Sequence, residues 1–305
     1  MEEIYDFTVR DKYHFKGITY ENVDENGETV YVQLLMNVDS EVNILNNLFK
    51  ILIIGTGCAV FIAIAASYIL SKKSLVPVVS AWKKQTEFTQ DASHELRTPL
   101  TILQLKQEKL LKNPDSTILE NIDDINMTLE EIERLTKLTG NLMTLARADV
   151  GEDQIKKEKV YIDNLIEELT KPYIEFAESQ NKKLLLNLNF KKDIMVDPNK
   201  IHQLMVILLD NAIKYTGEGD TIEVSTETKE NSCVIEVRDS GIGISEEART
   251  HIFDRFYRED KARSRESGGT GLGLAIAKYI VTAHGGKITA LKNEPKGTII
   301  SIKLK

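Results

Sequence analysis

Cysteine is almost missing from this chain: Cys58 and Cys233 are its two, one in an apolar run and one in a strand-like segment. Neither their separation nor their settings suit a metal site or a disulfide framework, and a reduced, cytosolic bulk follows. A basic stripe is missing too. The 305 residues carry 39 Lys and Arg against 47 Asp and Glu, a net charge of −8, which argues against nucleic acid as a direct partner. No basic region leading an apolar run stands at the N-terminus, which excludes a signal peptide. A glycine-rich loop is present near residue 270, but no Gly-Lys-Ser/Thr follows it, so it is not a P-loop. No parallel βαβ unit with an acidic residue some twenty positions on surrounds it, which also removes a dinucleotide-binding fingerprint.

What is present divides into regions. Residues 1–47 are polar, with alternating runs around Tyr13–Tyr20 and Thr29–Met36 either side of Asn26-Gly27, the pattern of a hairpin. His14 has no evident role there. Ile51 to Leu70 contains no charged residue and is long enough to cross a hydrocarbon core of ~30 Å. Lys72, Lys73, Lys83 and Lys84 follow it, against Lys50 alone close before it, which puts the C-terminal side in the cytoplasm. The expected layout is an extracytoplasmic segment at 1–47, a transmembrane helix at 48–71 and a short connector helix at 72–82. That connector runs through Val76-Pro77 with little interruption into the next helix.

The stretch Asp91 to Thr101 reads DASHELRTPLT. His94 and Thr98 share a helix face, and Glu95 stands beside the imidazole. A neutral imidazole is a nucleophile near neutral pH, and a neighbouring carboxylate can accept its second ring proton. Pro99 removes an N–H just beyond Thr98. Around this stretch Phe88, Ala92, Leu96, Leu100, Leu103 and Leu110 form one apolar face, and Asn113-Pro114-Asp115 ends the helix. A second helix is expected from Thr117 to Ala148, with a stripe through Ile118, Ile122, Ile125, Leu129, Ile132, Leu135, Leu138, Leu142 and Leu145. Two such helices make an antiparallel hairpin at 83–149, and the stripe is too wide for one partner. The expectation is a homodimer through a four-helix bundle.

From residue 150 to 305 strands alternate with helices. Strands are expected near Gln154–Tyr161, Lys183–Phe190, Thr221–Glu227, Cys233–Arg238, Lys287–Lys292 and Thr298–Lys303. Helices are expected near Ile162–Gln180, Pro198–Tyr215, Ser245–Ile252 and Leu272–His284. The pattern suits an α/β sandwich, one mixed sheet with helices on one face. Three motifs in it carry chemistry. Asn211, Lys214 and Tyr215 end a helix and offer an amide oxygen for a hard cation, an ammonium for phosphate and a ring. Asp239 at a strand end can accept from an exocyclic amine, and Gly241 and Gly243 let the backbone approach a flat base. Gly268, Gly269, Thr270, Gly271, Leu272 and Gly273 lead into a helix and form an anion site for a triphosphate.

DASHELRTPLT resembles the phosphoacceptor box of transmembrane sensor histidine kinases of bacterial two-component systems. The three later motifs, with Ile252 to Phe256 between the second and third, resemble the ATP-binding domain shared by histidine kinases, gyrase and Hsp90. The resemblance covers roughly Val78 to Lys305. It implies ATP-dependent phosphorylation of His94, with Glu95 as proton acceptor, then transfer to an aspartate of a response regulator. It also implies a role for Thr98 in removing phosphate from that regulator. Asn211 becomes the Mg²⁺ ligand, Asp239 the adenine reader, and Gly269 to Gly273 the phosphate cap. Arg255 and Arg258 become phosphate contacts, and Thr298 joins Asp239 through a water. Phe253 and Phe256 would anchor a lid between Asp260 and Gly268. His202, His251 and His284 match no catalytic position.

The chain also departs from that family. A single membrane helix stands where two usually bracket a sensor, so either part of the sensor is missing from this sequence or the sensor is minimal. Ile207 stands where the family usually has a second asparagine, four residues before Asn211. Two other readings compete: a membrane-anchored conformational switch driven by ATP, and a dimeric scaffold that has lost catalysis. The first has no use for DASHELRTPLT, and the second none for intact Asn211, Asp239 and the glycines.

Overall fold

The computed structural model describes residues 4–10, 12–25, 27–151, 155–259 and 269–305. The expected lid from Asp260 to Gly268, with Asn26 and Gln154, lies outside the described residues. Two compact units divide the chain, Met1–Lys83 and Lys84–Lys305.

The first unit holds three antiparallel strands, β1 (Ile4–Val9), β2 (Tyr13–Val23) and β3 (Thr29–Asn37), in that order. The expected hairpin is β2–β3. The sequence reading missed β1, which pairs Tyr5 with Gly17 and Phe7 with Phe15. The Tyr5 ring packs over Gly17, 2.8 Å from where a Cβ would stand. Phe7 and Phe15 stack at 5.6 Å, giving the small sheet an aromatic seam. Helix α1 (Asp39–Lys112) follows at once, and the Asp39 carboxylate accepts from the His14 backbone N–H at 2.6 Å. Among the described residues α1 is the one helix long and apolar enough to cross a membrane. It is unbroken through Pro77 and into the phosphoacceptor stretch.

The second unit opens on the last part of α1. Helix α2 (Ile122–Val150) begins five residues later than the periodicity of its stripe implies. The cause is local: Thr117 and Glu120 cap each other, with Thr117 N–H donating to Glu120 Oε2 at 2.7 Å and Glu120 N–H to Thr117 Oγ1 at 3.3 Å. The turn between them closes by i→i+3 bonds from Asn121 to Ile118 and from Ile122 to Leu119. Asp124 holds the two helices together by accepting from Lys106 and Lys109, each at 2.6 Å. Those two cations keep its carboxyl below the usual range.

Beyond α2 lie β4 (Glu158–Tyr161), α3 (Ile162–Ser179), β5 (Lys183–Leu188), β6 (Asp193–Val196) and α4 (Pro198–Tyr215). Then come β7 (Thr221–Lys229), β8 (Ser232–Asp239), α5 (Ala248–His251), α6 (Gly273–Ala283), β9 (Lys287–Lys292) and β10 (Thr298–Leu304). The main sheet runs β5-β7-β8-β10-β9, with β5 parallel to β7 and the other pairs antiparallel. One face buries Ile222, Val224, Ile235, Val237, Ile300 and Ile302 under the helices. The opposite face carries Asn187, Glu223, Ser225, Glu236 and Arg238. That is the mixed sheet covered on one side that the alternation of elements implies. β4 is shorter than expected because its partner is the four-residue β6, a strand the sequence reading missed. α5 is a single turn, started by Ser245 Oγ accepting from Ala248 N–H at 3.2 Å.

Two side chains set the ends of α4, the helix that carries Asn211. At its start Asp197 Oδ1 accepts from Asn199 and Lys200 N–H, a cap of about 1 kcal/mol, with Pro198 in the first turn. At its end the buried Lys182 donates to the Ile213 carbonyl at 2.7 Å, placing a cation at the negative end of the helix. His284 is buried and structural: Nε2 accepts from Asp197 N–H at 3.0 Å and Nδ1 lies 2.8 Å from the Ile280 carbonyl. Burial pushes its pKa down.

Candidate active site

The phosphoacceptor stretch lies within α1. Helical periodicity turns Phe88, Ala92, Glu95, Leu96 and Pro99 to one side, and these are half-buried or buried, while His94, Arg97, Thr98 and Thr101 are exposed. The His94 ring makes no hydrogen bond among the described residues, so its nitrogens are open to a reactant. Thr98 Oγ1 leans toward the His94 carbonyl at 3.5 Å, one turn away on the same face. Pro99 has no N–H to give the Glu95 carbonyl, so the ladder lacks one bond directly beneath the histidine. The helix remains continuous there.

In the nucleotide domain Asp239 ends β8 and is 8% exposed. Its Oδ1 accepts from Gly241 N–H at 3.0 Å and Thr298 N–H at 3.2 Å. Both bonds use one oxygen, which leaves Oδ2 for a ligand donor. Burial raises the carboxyl pKa and outweighs these two bonds, which lower it. Thr298 therefore meets Asp239 directly, through its backbone N–H.

The glycines around Asp239 have packing reasons. Gly241 lies against the Tyr215 carbonyl, where a Cβ would collide, and the Ile242 N–H bonds that carbonyl at 3.2 Å. Gly241 thus seats the loop on the end of α4. Gly243 takes φ 78°, with its Cα side toward Gly297. Three participants were missed from sequence. Gly297, at φ 112°, packs on the Asp239 carbonyl, and Asn293 Nδ2 donates to that same carbonyl at 2.7 Å. Asp220 accepts from Ser240 Oγ and Lys296 Nζ, each at 2.9 Å, and steadies the strand end. A Lys-Gly-Thr run opening a strand was the available signal for Gly297.

At the end of α4 the Asn211 side chain is half-buried and unbonded among the described residues. Lys214 is half-buried, with its ammonium against Gly269 and 5.3 Å from the Tyr215 ring centroid. Its pKa is lowered by burial first, then by Arg258 and Arg134. Three cations near one glycine loop describe a place for an anion. Arg258 adds to this, since its Nε and Nη2 are buried without a partner among the described residues. Arg134, on α2, was not foreseen, and it also pairs with Glu131 at 3.3 Å.

The loop itself is shaped by what it touches. Gly271 takes φ 70° with its Cα against the Phe256 backbone, and its carbonyl accepts from Phe256 N–H at 3.0 Å. Thr270 Oγ1 lies 3.4 Å from the Leu272 N–H, and Leu272 is fully buried at the start of α6. A Cβ on Gly273 would lie 3.3 Å from Ile207 Cγ2. Ile207 thus packs beneath the loop. Phe253 is half-buried against the core.

Arg255 is elsewhere. Its guanidinium is committed to the hairpin, donating to Asp149 Oδ2 at 2.8 Å and Oδ1 at 2.5 Å. In this arrangement the guanidinium is held by the hairpin, where a phosphate contact is the expectation.

Two family models match the chain. Residues 84–151 match the His Kinase A (phospho-acceptor) domain, and residues 196–305 the histidine kinase-, DNA gyrase B-, and HSP90-like ATPase. Sensor protein CiaH of Streptococcus pneumoniae is 41% identical over 244 residues, 80% of this chain and 54% of that one. The signal transduction histidine-protein kinase ArlS of Staphylococcus aureus is 37% identical over 74% of this chain and 50% of its own. The chain therefore spans about half the length of the curated relatives it matches. Among solved structures, histidine kinase AdeS of Acinetobacter baumannii aligns with TM-score 0.58 at 26% identity, over 70% of this chain and 97% of that one. Histidine kinase ThkA, solved with response regulator protein TrrA, shares the fold at TM-score 0.60 and 19% identity, over 99% of this chain and 78% of that one. A phosphoacceptor module with His94 exposed and an ATPase module with Asp239 at its strand end, in one chain and in that order, place this protein in the sensor histidine kinase family of two-component systems.

Proposed function

We propose that the chain is a membrane-anchored histidine kinase that phosphorylates His94 from ATP and passes the phosphoryl group to an aspartate of a response regulator. The observation that carries the reading is the pairing of an exposed, unbonded His94 with a nucleotide cleft built around Asp239, Lys214 and the glycine loop. The adenine amine donates to Asp239, and the triphosphate lies on the amides of Gly269 to Gly273 with Lys214 and Arg258. The Asn211 amide oxygen is the side-chain group on α4 suited to hold Mg²⁺, which offsets phosphate charge when bound. His94 attacks the γ-phosphorus, an N–P bond forms, and the bond to the bridging oxygen breaks with its electrons leaving on ADP. The imidazole proton passes to Glu95. Thr98, on the same face as His94, orients the water that hydrolyses the phosphorylated regulator.

The architecture that goes with this is an extracytoplasmic segment at 1–47, a cytoplasmic-membrane span at 48–71, a connector at 72–82, a hairpin at 83–149 and a catalytic domain at 150–305. The exposed apolar residues of α2, including Leu129 and Ile132, support a homodimer through a four-helix bundle. The cytoplasmic placement of the catalytic domain rests on the lysines after the apolar run.

The test uses labelled ATP and a phosphorylatable receiver. The chain should acquire acid-labile, alkali-stable phosphate and lose it to the receiver. Glu95→Ala should slow labelling by ~10²-fold. Thr98→Ala should leave labelling largely intact and slow dephosphorylation of the receiver. Loss of labelling with retained phosphatase activity in Thr98→Ala would overturn these roles.

A further inference from the structure

We propose that Asn293, in the turn between β9 and β10, is a positioning residue for base selectivity. It occupies the Asp239 carbonyl and so releases the Thr298 N–H to hold the Asp239 carboxylate. Asn293 Nδ2 donates to that carbonyl at 2.7 Å, and the Thr298 N–H donates to Asp239 Oδ1 at 3.2 Å. This role rests on Asp239 accepting from the adenine amine, as in the nucleotide reading above.

Strand stereochemistry identifies what Asn293 displaces. The Ser240 N–H bonds the Thr221 carbonyl on the β7 side at 3.0 Å. Peptide groups alternate in direction along a strand, so the N–H and carbonyl of Asp239, one residue earlier, point toward β10. The residue opposite Asp239 there is Thr298, by continuation of the register that pairs Arg238 with Ile299. In a regular antiparallel ladder the Thr298 N–H would serve the Asp239 carbonyl. The paired register instead stops at Arg238–Ile299. At the rung beyond it the partners are exchanged: the Asn293 amide serves the carbonyl, and the Thr298 N–H serves the carboxylate.

The turn is built to keep that exchange. The Asn293 N–H bonds the Gly297 carbonyl at 3.1 Å, which closes the turn beside the end of β8. Gly297, at φ 112°, lies so close to the Asp239 carbonyl that a Cβ would collide with it, and Gly243 packs on the same glycine. With Gly241 and Thr298 both on Oδ1, Oδ2 is presented as an acceptor of set direction. A base with an amine at this point donates to Oδ2, whereas one with a carbonyl there sets oxygen against oxygen. Without Asn293 the buried Asp239 carbonyl needs another donor, and the Thr298 N–H is the one at hand. The rung then closes, and the carboxylate keeps Gly241 alone and loses its set direction.

The full chain in phospholipid discs is compared as wild type, Asn293→Ala, the near-isosteric Asn293→Leu, and Glu294→Gln. Glu294 is the control: it stands in the same turn, pairs with Lys292 at 2.9 Å and is 76% exposed. Calorimetry measures the affinity for ATP, for inosine triphosphate (a carbonyl in place of the amine) and for tripolyphosphate. Wild type should prefer ATP to inosine triphosphate. Each Asn293 variant should weaken ATP binding about three- to tenfold and leave the other two ligands within about twofold, so that the preference narrows. Glu294→Gln should keep the wild-type preference. A preference unchanged in the Asn293 variants, or all three ligands weakened together in both, overturns the proposal, since Asn293 would then only support the fold. A wild type that binds ATP and inosine triphosphate alike overturns the base reading of Asp239 itself, and the role of Asn293 falls with it.

Discussion

Helices α2 and α4 both carry apolar stripes and put them to different uses. In α4, Ile201, Leu204, Met205, Leu208 and Leu209 are all buried inside the nucleotide domain. In α2, Leu138 and Leu145 are buried, but Ile122, Leu129 and Ile132 remain 42%, 59% and 47% exposed. The nucleotide domain closes its own core, while the upper half of the hairpin presents apolar surface that awaits another. Exposed apolar residues in a contiguous helical row mark an interface, here filled by a second hairpin under the dimer reading.

Substitutions in the two stripes should therefore part company. Leu208→Ala should cost the nucleotide domain about 2–5 kcal/mol in urea unfolding, the range for emptying a packed leucine site. Leu129→Ala should change that transition by less than ~0.5 kcal/mol, and Leu129→Glu should instead shift the chain toward monomer in sedimentation. Equal destabilisation of the nucleotide domain by both alanine variants would remove the contrast.

A smaller effect separates base from phosphate recognition. Asp239→Asn should weaken ATP binding ~10- to 100-fold in calorimetry, the scale of a lost charge-assisted bond, with tripolyphosphate binding nearly unchanged. An equal loss for both ligands would mean that Asp239 supports the cleft and does not read the base.

The smallest effect is a pH dependence confined to the nucleotide domain. Because burial lowers the His284 pKa, the folded state resists a proton that the unfolded chain accepts. Its contribution is fully present above the ordinary histidine value near ~6.5 and is lost as pH falls through the window below it. His284→Gln should flatten the decline in unfolding midpoint across that window. A wild-type midpoint that rises on acidification from pH 7 to 5.5 would contradict the sign.

Much of this was legible in the sequence for definite reasons. The stripe of α2 and the alternating strands β7 and β10 announce themselves by periodicity, and the uncharged run in α1 by its unbroken apolar length. β1 and β6 did not: the four residues of β6 are too few to show a period, and both owe their form to the strand beside each. His94, Asp239 and the glycine loop could be found because their chemistry demands particular residues in a row. Asp149, Arg134 and Asn293 could not, since each acts on a partner far away in the chain and has no neighbouring motif. The pairing of Arg255 with Asp149 was hidden for the same reason, since the two stand far apart in the chain.

The central claim is that the two regions hold separable halves of one reaction, a phosphoacceptor and a nucleotide site. It is tested most directly by measuring ATP binding and acid-labile labelling side by side in His94→Gln. The account predicts ATP affinity within about twofold of wild type and no acid-labile phosphate. Residual acid-labile label on that protein would contradict it.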